Sequence, residues 1–131
     1  MPRFMVMIKG NSRSEAGIQP SDALAAQMQA YNEELVNAGV RLAAEGLYPS
    51  SKGARVYFSG GNTRVVDGPF AEAKEVVGGF WILQCRSLDE CVEWIRRVPV
   101  AALPGATVDG QIDILQIIDW DDFAADRSNS N

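Results

Sequence analysis

Histidine is absent from all 131 residues, and that single gap removes a large block of chemistry. A Ser-His-Asp or Cys-His catalytic unit, a haem held by imidazole and every zinc site built on histidine are excluded together. Cysteine is almost as scarce. Cys85 and Cys91 stand outside any Cys-x-x-Cys spacing, and they read as reduced core thiols of a cytoplasmic protein, with no disulfide expected. Positive charge is in deficit, with 12 Lys and Arg against 17 Asp and Glu for a formal net charge of -5. Nucleic acid and anionic membrane surfaces are therefore not expected partners, because both demand a clustered positive field. Long hydrophobic runs are missing as well. The apolar stretch 4–8 is too short for a signal-peptide core and runs into Lys9, Asn11, Ser12 and Arg13, and no segment nears the roughly 20 apolar residues of a membrane-spanning helix.

What remains is a chain that is 47% hydrophobic, enough for one sizeable core. A single domain is expected over residues 1–118, followed by a partly disordered acidic tail, 119–131, in which Trp120 and Phe123 are the two aromatics able to dock. Residues 3–9 alternate, but Phe4, Val6 and Ile8 on one side are matched by Met5 and Met7 on the other, which predicts an inner strand covered on both faces. After a polar loop over 10–20, Leu24, Met28, Tyr31, Leu35 and Ala38 recur at helical steps, with Ser21 as the starting cap and Gly39 at the end. A second strand is expected over 40–47. Strands at 54–58 and 63–66 flank Ser59-Gly60-Gly61-Asn62, a hairpin turn. A further two-faced strand follows over 76–85. Ser87 and Glu90 then have the spacing of a capping box for a helix with Leu88, Cys91, Trp94, Ile95 and Val98 inward, stopped by Pro99. A last strand is expected over 111–118.

This order is βαββαβ with an inserted β-hairpin, an α+β class. Two helices cover one face of such a sheet, whereas several strands are apolar on both. The second face requires a partner, and a second copy of the chain supplies it, so a homodimer is expected.

Chemistry-bearing residues concentrate in Val65-Val66-Asp67-Gly68-Pro69-Phe70-Ala71-Glu72-Ala73-Lys74-Glu75, where three carboxylates and a lysine flank a Gly-Pro turn. Asp67, Glu72 and Glu75 are the candidate catalytic residues, since opposite charges held close together perturb one another and can poise a general acid or base. The competing reading makes Asp67 the acceptor of an Asx-type turn and leaves the other acids solvated. Lys74, Glu45 and Tyr31 are the candidate ligand-binding residues. Glu45 before Gly46 reads equally as a surface charge, and Tyr31, like Met28, Trp81 and Trp94, falls at core-facing spacing. The acids match no loop with defined metal-ligand positions, so no metal site is expected. Gly60-Gly61 and Gly78-Gly79 open no helix, so neither is a phosphate cradle, and no cofactor is expected.

The same residues carry a family resemblance. Tyr31-Asn32-Glu33-Glu34-Leu35 running into Ala44-Glu45-Gly46-Leu47, then Pro49-Ser50-Ser51-Lys52-Gly53-Ala54-Arg55-Val56, and finally Asp67 through Glu75 with Gly79-Phe80-Trp81, are similar to the YCII-related proteins, in particular the group named for its Asp-Gly-Pro-Phe motif. The likeness runs from the first strand through Leu115. It implies a ferredoxin-like βαββαβ protomer that dimerises sheet to sheet into a dimeric α/β barrel. It also implies a cleft that compact relatives furnish with a histidine on the first helix and a nearby aspartate. This chain has Gln27, Met28 and Tyr31 on that helix, so the His-Asp mechanism does not carry over, while Asp67 and the motif acids remain for a different site in the same cleft. Members of the subgroup often sit beside genes for sigma factors, which implies a regulatory role as the alternative. The leading expectation is thus a cytoplasmic homodimer that binds a small organic molecule in a cleft lined by the motif loop, with acid/base turnover. The alternative is a non-catalytic interaction protein, accessory to a sigma-factor-type transcription regulator.

Overall fold

A computed structural model describes residues 1–72, 75–106 and 109–123. In chain order the elements are β1 (Arg3–Lys9), α1 (Ser12–Glu15), α2 (Asp22–Asn37), β2 (Arg41–Gly46), β3 (Ala54–Ser59), β4 (Asn62–Asp67), β5 (Val77–Gln84), α3 (Leu88–Arg96) and β6 (Ile112–Gln116). Short 3-10 turns lie at Ser50–Lys52, Val100–Ala102 and Trp120–Phe123. Among the described residues, no helix is long and apolar enough to cross a membrane.

β1 is the inner strand that its two-sided apolar pattern predicts, pairing antiparallel with β5 on one side and β6 on the other. β2 adds to the far edge of β5, giving the sheet order β2-β5-β1-β6. Antiparallel sheets with three helices make a mixed α+β architecture compatible with a ferredoxin-like arrangement.

Strand alternation divides the two faces of the sheet. Phe4, Val6, Trp81 and Leu83 point to one side, where they bury against Tyr31 and Leu35 of α2 and Cys91 of α3. Each such side chain contributes on the order of 1.5–3 kcal/mol when taken fully out of water. Met5 and Met7 point the other way, opposite Ile82 and Phe80, with Leu115 beside Met5. That second face is only partly covered: its methionines, Phe80 and Ile82 are half-buried and Leu115 is exposed.

Both main helices start on their serine caps. Ser21 accepts from the Leu24 N–H and Ser87 from the Glu90 N–H. The Glu90 half of the expected capping box is not made, because its carboxylate accepts from Arg86 Nε at 2.7 Å. Leu88 corrects a second expectation: it stands in the first turn of α3, and that turn projects it into solvent rather than inward. The supposedly plain loop 10–20 holds α1, closed by reciprocal bonds between Asn11 and Ser14. Leu103, in the connection between α3 and β6, joins the core.

β3 and β4 form a separate two-stranded ribbon. Gly60 and Gly61 at its tip have φ of 57° and 82°, the two left-handed positions of a type I′ turn, whose twist matches that of paired strands. The ribbon makes no broad contact with either face of the large sheet, so Val56, Phe58 and Val65 remain exposed. In the tail, the Trp120 and Phe123 rings lie 6.0 Å apart and both are largely exposed, while residues 124–131 lie outside the described residues.

Candidate functional site

The motif loop is positioned by a serine and a carboxylate that lie far from it in sequence. Ser50 is the buried polar residue of the chain's described core. Its backbone N–H donates to Glu15 Oε1 at 3.0 Å and its hydroxyl donates to Glu15 Oε2. The same hydroxyl accepts from the Phe70 N–H at 2.9 Å. One side chain thereby ties α1, the Ser50–Lys52 turn and the Asp-Gly-Pro-Phe segment together, and a charge-assisted bond of this kind is about twice as strong as a neutral one.

Backbone contacts complete the crossing. The Gly68 N–H donates to the Gly53 carbonyl at 2.9 Å, and a Cβ on Gly68 would stand 1.7 Å from the Ser50 carbonyl oxygen. No side chain fits there, which is the physical reason for glycine at the second motif position. The Gly68-Pro69 peptide bond is cis.

A groove of about 450 Å³ runs along this crossing, between the Tyr48–Arg55 stretch on one side and Phe70, Glu75 and Val76 on the other. Aromatic rings hold its two cationic side chains. The Lys52 ammonium lies 4.0 Å from the Tyr48 ring centroid, and the Arg55 guanidinium lies 4.1 Å from that of Phe70. A second cleft, of about 360 Å³, lies along β2 and β5, where Met28 and Asn32 of α2 face Ala44, Gly79 and Trp81. There the Trp81 indole N–H donates to Asn32 Oδ1 at 2.8 Å, which locks both side chains.

The six residues singled out from sequence fall in different places. Asp67 ends β4 opposite Ala54 and is exposed, and its carboxylate makes no hydrogen bond or ion pair with another described residue. Glu72 is exposed as well, accepting at its carbonyl from the Glu75 N–H at 3.0 Å. Glu75 is the motif acid that lines the first groove. Lys74 lies outside the described residues. Glu45 borders the second cleft, on β2 opposite Phe80. Tyr31 is buried beneath that cleft, its ring edge-on to Trp81 at 6.0 Å and its hydroxyl donating to the Trp94 carbonyl at 2.6 Å. Burial pushes its phenol up to about 12, with Arg97 pulling the other way. Tyr31 therefore shapes the cleft through Trp81 and keeps its own polar atom for the core.

Ser50, Lys52 and Arg55 of the groove, and Glu15 that anchors Ser50, are residues that sequence reasoning did not select. Their signal was weak, since the Glu15 and Phe70 partners of Ser50 stand 35 and 20 residues away. Among the described residues no cluster of three metal-ligating side chains forms.

Comparison with known proteins adds a family. The family model described as YCII-related domain matches residues 2–121. An uncharacterised protein of Rhizobium meliloti (strain 1021) is 39% identical over 69 residues, which is 53% of this chain and 56% of the relative. The matched region thus spans little more than half the length of that relative, whose name assigns it no activity.

Proposed function

The chain belongs to the YCII-related domain family, and on that premise we propose that it binds a small organic molecule in the groove beside the Asp-Gly-Pro-Phe loop. The observation that carries this reading is the Ser50 crossing. A loop held by a buried serine, a carboxylate and a backbone-to-backbone approach keeps a groove open at the cost of local packing, as preformed ligand sites do. Within the groove Glu75 is the candidate for proton transfer, with Asp67 and Glu72 earlier in the same segment and Lys74 between Glu72 and Glu75 in sequence. We assign the chain to the Asp-Gly-Pro-Phe group on the match of residues 67–75.

The proposed assembly is a homodimer built sheet to sheet into an α/β barrel, with the β3–β4 ribbon as the hairpin inserted between the second and third strands of the protomer. Support comes from the partly covered face of Met5, Met7, Phe80, Ile82 and Leu115. Light scattering at micromolar concentration checks this, and a monomer there refutes it.

One observation favours a second reading. The exposed apolar ribbon residues Val56, Phe58 and Val65 would suit a non-catalytic protein that docks on a transcription regulator. A thermal-shift screen of the full chain against a metabolite library, with hits mapped by amide shifts, separates the two. Ligand binding predicts shifts at 47–55 and 68–77, with the affinity of the hits changed in a well-folded Asp67→Asn or Glu75→Gln if charge does the work. Hits confined to the Met28–Asn32–Trp81 cleft move the site there, and a screen without hits favours docking.

A further inference from the structure

The geometry of the groove points to the class of molecule it takes: we propose that its ligand is a small organic anion, a carboxylate or phosphate on a flat apolar body, held at its charged end by Arg55 and Lys52. This rests on the groove being the ligand site and goes on to its specificity.

The chain carries a net charge of -5, yet two cations meet at this one groove. Neither pairs with an acid among the described residues, where the ion pairs are Lys9–Asp113, Arg86–Glu90 and Arg96–Glu93. Both are held against rings rather than swinging free, so less side-chain entropy is lost when an anion arrives. A guanidinium that stacks by its face keeps its in-plane N–H donors, and that fork matches a carboxylate or phosphate two bonds at a time. Arg55 is also the better fixed of the two. It stands half-buried on β3, and its ring partner Phe70 is anchored by the Ser50 hydroxyl. Leu47, Val76 and Val77 line the rest of the groove and give the ligand's body an apolar wall. Glu75 lines the same groove and opposes an anion, so it sets an upper bound on affinity and a direction for its removal.

The test titrates the full-length chain with benzoate, phenyl phosphate and the neutral benzyl alcohol, following amide shifts at 47–55, 70 and 75–77. The two anions are expected to bind there about tenfold more tightly than the alcohol, as a charge-assisted pair requires, and to weaken as salt rises. Which anion binds more tightly distinguishes a carboxylate from a phosphate ligand. Arg55→Gln should lose about tenfold in anion affinity, Arg55→Lys should recover part of it, and Lys52→Gln should lose a few-fold, while Glu75→Gln should gain. The Lys52 ammonium rests on Tyr48 and not on Phe70, so its variant keeps the test valid if Arg55→Gln disturbs the loop. Equal binding of the alcohol and the anions in this groove, or unchanged anion affinity in both Arg55→Gln and Lys52→Gln, overturns the anion assignment and leaves the groove as a site for neutral molecules. Shifts confined to other surfaces, or none with any probe, overturn the groove reading itself together with the assignment.

Discussion

The large sheet and the β3–β4 ribbon are both antiparallel, both rich in apolar residues, and opposite in what they do with them. Leu83 and Leu35 in the helix-backed half are 0% exposed, whereas Phe58 on the ribbon is 78% exposed. The difference follows from what each strand pair has to lie against. β1 and β5 have α2 and α3 on one face, so alternation there becomes burial. β3 and β4 have no such layer, and an isolated hairpin of this kind is marginal in water. What holds the ribbon's base is polar, the Ser50–Glu15–Phe70 crossing and the Gly68 to Gly53 backbone bond. The molecule thus separates a half that carries stability from a half that carries the groove.

The sharpest way to break this contrast is to truncate one side chain in each half. Leu83→Ala leaves a cavity in a fully buried position and is expected to cost about 2–5 kcal/mol of unfolding free energy in urea melts. A loss under about 1 kcal/mol would mean that the sheet is not the stable half.

High pH attacks the same core by another route. Burial pushes the Cys91 thiol up to about 12, with the neighbouring Cys85 adding to the shift, and Tyr31 rises to about 12 as well. Their ordinary values are 9.0 and 10.0, so below about pH 9 both groups are protonated whether the chain is folded or not. Between there and pH 12 the unfolded chain ionises first, which draws the equilibrium toward it. Stability should therefore be flat to about pH 9 and fall steadily above, and Tyr31→Phe should shallow the part of the fall that begins near pH 10.

Ser50→Ala probes the seam between the halves. It leaves the Phe70 N–H without its acceptor and Glu15 Oε2 without its hydroxyl donor, while the backbone bond to Glu15 Oε1 stays, and is expected to cost about 1–3 kcal/mol, with accelerated amide exchange at Phe70. Unchanged exchange there would show that the crossing does not set the loop.

The smallest effect is expected at the ribbon. At concentrations where light scattering reports single chains, Phe58→Ser should change stability by no more than about 0.5 kcal/mol. A larger loss would reveal a covered ribbon and erase the distinction.

Periodicity and turn chemistry made most of the fold legible. The two-faced pattern of Phe4 to Ile8 announced an inner strand, the serines at 21 and 87 announced helix starts, and Gly60-Gly61 announced the hairpin. Family membership was legible in other stretches, 31–35 with 44–47, 49–56, and 67–75 with 79–81. Leu88 misled because helical spacing gives a face but not which first-turn residue lies beyond the core's edge. Glu90 misled because a nearby arginine outcompeted a backbone N–H for its carboxylate. The site was half legible. The acids of 67–75 drew notice as charge, and Glu75 does line the groove, but the parts that build it were hidden because Glu15, Ser50 and Phe70 meet only in space. Asn11 and Ser14 did carry a local clue, a cap spacing that foretells a helical turn ending at Glu15.

Cys85 and Cys91 stand at the joint between β5 and α3, both buried and both free. A thiol in that position is a clock. A membrane-impermeant alkylating reagent cannot reach either sulfur until α3 lifts from the sheet, so the modification rate counts how often the joint opens and needs no engineered label. Because no other cysteine exists in the chain, the count refers to that one event. A ligand that seats in the groove without slowing it would show that the groove fills while the stable half goes on opening at its own pace.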